Sequence, residues 1–167
     1  MMELDVFLRH HGIAARRFDH AAVMTVEESE RLVPRLPGAK TKNLFLRDKK
    51  GARHFLVTVP HDCAVDLKTL GMALGAGRLG FASPERLHQH LRITPGSVSL
   101  LALVNDRAGA VEFVIDRTLW NAEAVQAHPL VNTATMVLPH RDLEHFVAAT
   151  GHTARVIDLS PAEKPAS

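Results

Sequence analysis

The sequence predicts a mixed α/β fold, with helices packed on a largely antiparallel sheet. Three observations predict it. Two apolar runs joined by a short polar turn make a hairpin between residues 43 and 59. Helix signals and further short apolar runs follow one another without a regular βαβ rhythm. No Gly-x-Gly-x-x-Gly follows a first strand and no Walker-type Gly-Lys-Ser/Thr occurs, which argues against a doubly wound nucleotide-binding fold.

The elements follow in order. Leu4, Val6-Phe7-Leu8 and Ile13 lie around a helical face that ends at Gly12. A short strand is expected through Ala15–Phe18. Thr25-Val26-Glu27-Glu28 has the form of a capping box, so a helix is expected to Leu32, stopped before Pro34 and Pro37. Asn43–Arg47 and His54–Val59 form the hairpin around Asp48-Lys49-Lys50-Gly51. Asp66–Leu74 reads as a helix. Ser83-Pro84 is an N-cap followed by proline at the first helical position. Val98–Val104 and Val111–Ile115 read as strands, and so does Thr135–Leu138. His140–Thr150 reads as a helix with Gly151 past its end. Arg155–Asp158 closes as a strand.

A length of 167 residues fits one domain, assigned here to residues 1–159, with a frayed tail at 160–167. The hydrophobic fraction of 46% excludes disorder as the main state. No apolar run approaches the ~18 residues of a membrane helix. The acidic start lacks the order of a signal peptide, and the single Cys63 fits a reducing compartment. Cytoplasmic residence without membrane association is therefore expected. A formal charge of +2 permits an anionic partner without demanding one.

Three stretches could carry chemistry. Lys40 and Lys42 share one side of an extended segment that runs into the core. A lysine at the mouth of a sheet can meet an anion or a polarised carbonyl. The plainer reading of the residues alone is two solvated lysines. Pro95-Gly96-Ser97-Val98-Ser99 is a turn whose backbone could approach a ligand or be only a turn. His128-Pro129-Leu130-Val131-Asn132-Thr133-Ala134-Thr135 is a polar loop before an apolar strand, either a site or a solvent loop. His61-Asp62-Cys63 does not indicate an activated thiol. His10-His11 and His88-Gln89-His90 lack zinc-site spacing and read as surface histidines, so no metal is expected. Arg47, Lys49, Lys50 and Arg53 cluster at the hairpin turn, as a solubilising turn or a phosphate contact.

Taken together, four stretches resemble the YbaK/ProX family of aminoacyl-tRNA editing domains. They are His20–Glu28, Lys42–Lys50, Pro95–Ser99 and His128–Thr135, in the family's order. Lys-Asn-Leu-Phe-Leu with His-Pro-Leu is especially similar to the free-standing alanyl-tRNA(Pro) deacylases (ProXp-ala, PrdX). The resemblance implies ester hydrolysis at the acceptor end of a mischarged tRNA, without a cofactor. It places Lys42 as the catalytic residue. It implies substrate binding by His20, Asn43, Gly96, Ser97, His128, Pro129 and Asn132. Lys40, Arg47, Lys49, Lys50 and Arg53 are then candidate tRNA contacts, and prolyl-tRNA synthetase or an elongation factor a candidate partner. Ester hydrolysis needs a held water and a group for the oxyanion, not a protein nucleophile, which suits the lack of a Ser-His-Asp arrangement. Many family members carry a Gly-x-x-x-Pro loop here, and Val125 stands at that glycine position. Such an enzyme is useful because a prolyl site rejects smaller alanine by only ~1–3 kcal/mol per missing methylene-sized contact. A deacylase for Cys-tRNA(Pro) or another small amino acid, a non-catalytic tRNA-end- or protein-binding module, and a small-molecule or metal-dependent hydrolase are the alternatives.

Overall fold

The computed structural model describes residues 3–22 and 36–159. Helix α1 (Leu4–His10) buries Leu4, Phe7 and Leu8, and Gly12 leaves it with φ +68°. Strand β1 (Arg16–Asp19) follows. The central hairpin is β2 (Thr41–Asp48) and β3 (His54–Pro60). Helix α2 (Leu67–Ala73) starts at an Asp66 cap and leads to β4 (Leu79–Phe81). Helix α3 (Pro84–Leu91) starts where Ser83 Oγ accepts the Arg86 N–H. Two 3-10 turns, Pro95–Ser97 and Leu100–Asn105, precede β5 (Val111–Asp116) and the short α4 (Arg117–Trp120). The chain continues through β6 (Ala124–Ala127), β7 (Ala134–Pro139), α5 (His140–Ala149) and β8 (Arg155–Ile157).

The strands form two sheets. The larger has the order β4-β2-β3-β5-β8. It is antiparallel from β4 to β3 and parallel from β3 to β8. The smaller, β1-β7-β6, is antiparallel throughout. An isolated parallel bridge between Ala39 and Val125 joins them. One apolar cluster unites Phe45, Leu56 and Phe113 of the larger sheet with Val125, Ala127, Met136 and Leu138 of the smaller. A second, on the other face of the larger sheet, packs Leu46, Phe55, Val57 and Val59 against Leu70 and Leu74 of α2.

The expected strand at 98–104 is corrected. Leu100–Val104 are all buried, in a 3-10 turn started by Ser99, whose Oγ accepts the Leu101 N–H. A continuous apolar run lacks the alternation that separates strand from buried helix. Strands β4 and β6 and helix α4 were not expected. The capping box at Thr25 and the tail at 160–167 lie outside the described residues.

Buried Asp106 ties the turn before β5 to the C-terminal segment. Its carboxylate accepts the N–H groups of Ala110 and Val111 and faces His152 Nε2 at 2.8 Å. Burial alone would raise this carboxyl, but His152 and the two amides outweigh it and hold it below the ordinary range.

Candidate active site

Strand phase places Lys42 and His128 on the same face. The Ala39–Val125 bridge is parallel, so three residues beyond each partner stand Lys42 and His128. Ala39 and Val125 both face the first core cluster. With a period of two, Lys42 and His128 then both point to the opposite face. An independent register agrees, because Lys42 pairs with Val59, which faces the second cluster. Among the described residues, the Lys42 ammonium has no hydrogen bond or ion pair.

One buried side chain sets this alignment. Gln126 Nε2 lies 3.2, 3.3 and 3.2 Å from the carbonyls of Leu36, Pro37 and Gly38. Its backbone N–H donates to Ala39 O, and its C=O accepts the Thr41 hydroxyl. The segment entering β2 is thus fixed to β6, two residues before His128. Nothing in the sequence marks a lone glutamine in an Ala-Val-Gln-Ala run for this role.

His128 sits at the start of the β6–β7 loop. Its Nδ1 lies 3.0 Å from Ala134 O. A carbonyl only accepts, so Nδ1 carries the proton, and in the neutral ring Nε2 is left as an acceptor. Burial, together with the nearby His20, lowers the pKa of His128 below that of an ordinary histidine despite the Ala134 bond. His20 lies with its ring 6.5 Å from that of His128. Its Nδ1 donates to Ala21 O and its Nε2 pairs with the Thr135 hydroxyl, each at 2.8 Å. Its backbone N–H donates to Thr133 O, closing the loop against β1. Thr135 was not singled out as a site residue by the sequence.

The remaining residues divide. Asn43 faces the first cluster, and its Oδ1 accepts the Thr58 hydroxyl at 2.5 Å, which orients the amide. Pro129 is buried. Leu130 holds φ +68°, a left-handed conformation that is costly for a side-chain-bearing residue. Asn132 is half-buried in the same loop. Gly96 and Ser97 form a 3-10 turn entering another 3-10 turn, not the strand expected. No hydrogen bond between described residues joins them to Lys42 or His128. Val125 is fully in the core, so its side chain packs where the family's loop glycine would stand.

Among the basic residues, Lys40 is half-buried and Lys49 and Lys50 are exposed at the turn. Arg47 binds the Asp48 and Lys49 carbonyls. Arg53 departs from the expected phosphate contact. Its guanidinium makes two 2.9 Å bonds to Glu112, reaches Gly75 O and lies over Phe55. These commitments make it a structural cation. Cys63 is buried, with Sγ against Leu159 O. His90 is not a free surface histidine: its ring packs 4.2 Å from that of buried His54.

Comparison with known proteins identifies the family. Residues 20–146 match the aminoacyl-tRNA editing domain, a span that includes Lys42, Gly96 and His128. The chain belongs to that family. It is 43% identical to the prolyl-tRNA editing protein ProX of Acetoanaerobium sticklandii, over 84% of this chain and 86% of the relative. It is 40% identical to prolyl-tRNA synthetase associated domain-containing protein 1 of Danio rerio, over 94% of this chain and 86% of the relative. A solved structure described provisionally as a trans-editing enzyme for prolyl-tRNA synthetase shares the fold. Its TM-score is 0.71 at 21% identity, with 96% of each chain covered. The type of domain is therefore that of prolyl-tRNA editing.

Proposed function

We propose that this chain is a free-standing trans-editing deacylase that hydrolyses the ester of mischarged Ala-tRNA(Pro) in the cytoplasm. The observation that carries the reading is Lys42 and the neutral His128 in phase on one face, each with a polar head uncommitted among the described residues. Water adds to the ester carbonyl, whose oxygen becomes an oxyanion. Collapse expels the ribose oxygen, which takes a proton, and leaves free amino acid and tRNA. Lys42 supplies positive charge for the oxyanion. His128 Nε2 accepts a proton in a hydrogen bond from the attacking water or the substrate amino group. Buried Pro129 and left-handed Leu130 shape the pocket for a small side chain. The ProX relative, named for prolyl-tRNA editing, supports the choice of tRNA.

Prolyl-tRNA synthetase or an elongation factor would act as partner by sharing the tRNA. Deacylation of Ala-, Cys- and Pro-tRNA(Pro) by the purified chain tests the proposal. Fastest release of alanine, with Pro-tRNA(Pro) spared, is expected. Faster release of cysteine overturns the alanine assignment, and no hydrolysis of any ester overturns the enzyme reading.

A further inference from the structure

The face that carries Lys42 continues along β2 toward β4. On β2, Lys42, Leu44 and Leu46 alternate onto it, and Leu46 pairs with Phe81 of β4. Strand β4 is an edge of the sheet. Between the Ala39–Val125 bridge and the β4 ladder, the outer edge of β2 at residues 42–44 carries no strand among the described residues. A cleft of about 630 Å³ opens between α2 and β4, lined by Leu67, Lys68, Met72, Gly77, Arg78 and Leu79. Leu67 packs on the same cluster as Val59, the partner of Lys42, so the cleft extends the site's own face.

Two features of this surface are unusual. Phe81 is 64% exposed and Met72 75% exposed, where few large apolar side chains are exposed among the described residues. The charges in the cleft, Lys68 and Arg78, are of one sign, with no carboxylate in its lining. The flanking carboxylates are engaged by local donors: Asp66 caps α2 and bonds Thr69, and Asp48 accepts the N–H groups of Ala52 and Arg53. A ring standing among cations is the recognition chemistry of a single-stranded nucleic acid, with bases stacked on the aromatic and phosphates held by the basic groups.

We propose that this surface holds the unpaired 3′ end of the tRNA substrate as it leaves Lys42, with Phe81 stacking a base and Arg78 and Lys68 meeting phosphates. The proposal rests on the tRNA-substrate reading above. Phe81 lies four strand positions from the level of Lys42, or about 13 Å. That distance spans about four stacked nucleotides.

Binding of uncharged, fluorescently labelled tRNA by anisotropy tests it without requiring hydrolysis. Phe81→Ala should weaken binding about tenfold. Arg78→Ala should weaken it too and flatten the salt dependence by about 0.7–0.9 in log–log slope, one phosphate's share. Val6→Ala, which removes an exposed apolar side chain on α1, should bind as wild type. Melting temperatures of all three should match wild type. Wild-type affinity in both Phe81→Ala and Arg78→Ala overturns the proposal, as does a wild type with no measurable tRNA binding. Loss of binding to prolyl-tRNA synthetase with tRNA affinity intact also overturns it, marking a protein-docking surface instead. Hydrolysis of alanyl-adenosine, too short to reach Phe81, separates the two readings. Its absence in wild type sinks the deacylase, whereas its survival in Phe81→Ala alongside weakened tRNA binding is the expected result.

Discussion

His128 and Lys42, far apart in sequence, stand in phase on one face because the Ala39–Val125 bridge runs parallel. The proposed catalytic arrangement thus depends on how the smaller sheet is joined to the start of β2. Gln126 makes that join, with two amide hydrogens shared among three carbonyls.

Gln126→Met keeps the volume and removes both donors. Leaving those carbonyls unpaired should cost about 2 kcal/mol. That corresponds to a melting temperature lower by about 4–8 °C. Deacylation should fall about 10–100-fold, because a displacement of about 1 Å at the site has an effect of this size. In a Lys42→Ala background the same change should reduce the rate little further. Full additivity would show that Gln126 acts on stability alone.

The acid limb of kcat/KM should lie below the ordinary histidine pKa of about 6.5. Burial, with His20 nearby, keeps His128 neutral to lower pH, so its Nε2 remains an acceptor there. A pH–rate profile checks this. Activity that is half lost at or above pH 6.5 would show that His128 is not held neutral.

How much of this was legible in the sequence depended on the range of the interactions. The hairpin, the Ser83 cap and the Gly151 stop rest on neighbours and were read correctly. The run from Val98 to Val104 was misread, because burial of every side chain from Leu100 onward removes the period that tells helix from strand. Strand β6 was missed because Ala-Val-Gln-Ala has little strand character of its own and is held by partners in β7 and at Ala39. At the candidate site, Lys42, His20 and His128 were singled out through their motifs. The tautomer of His128, the Gln126 clamp and the role of Thr135 are contacts between distant segments, which no local pattern encodes. Arg53 looked like its basic neighbours until Glu112, on another strand, appeared beside it.

Stability should fall as the pH drops below about 6.5. Burial, then His90 and Arg86, lower the pKa of His54 in the folded protein. Its Nε2 faces an Arg86 nitrogen at 3.1 Å, and an arginine only donates. The unfolded chain therefore takes up a proton that the fold resists. Stability is full above the unfolded value and declines from there down to the lowered folded one, and His128 contributes with the same sign. Thermal melts from pH 7.5 to 5 check this. His54→Gln should show a shallower decline than wild type, and an unchanged slope would remove His54 as a cause.

His152→Ala should destabilise the fold by about 2–4 kcal/mol, since it leaves a charged carboxylate short of a partner. The His152 and Asp106 side chains are 4% and 3% exposed. Urea unfolding measures the change. A loss under about 0.5 kcal/mol would mean that the two backbone N–H bonds suffice for Asp106.

Lys42 is proposed to act on the ester as an electrostatic group. Single-turnover deacylation of Ala-tRNA(Pro) by wild type and Lys42→Ala tests it most directly. The expected result is a rate at least 100-fold lower in Lys42→Ala, as for loss of an oxyanion donor, with tRNA affinity within a few-fold and an unchanged melting temperature. Hydrolysis by Lys42→Ala at the wild-type rate would contradict it.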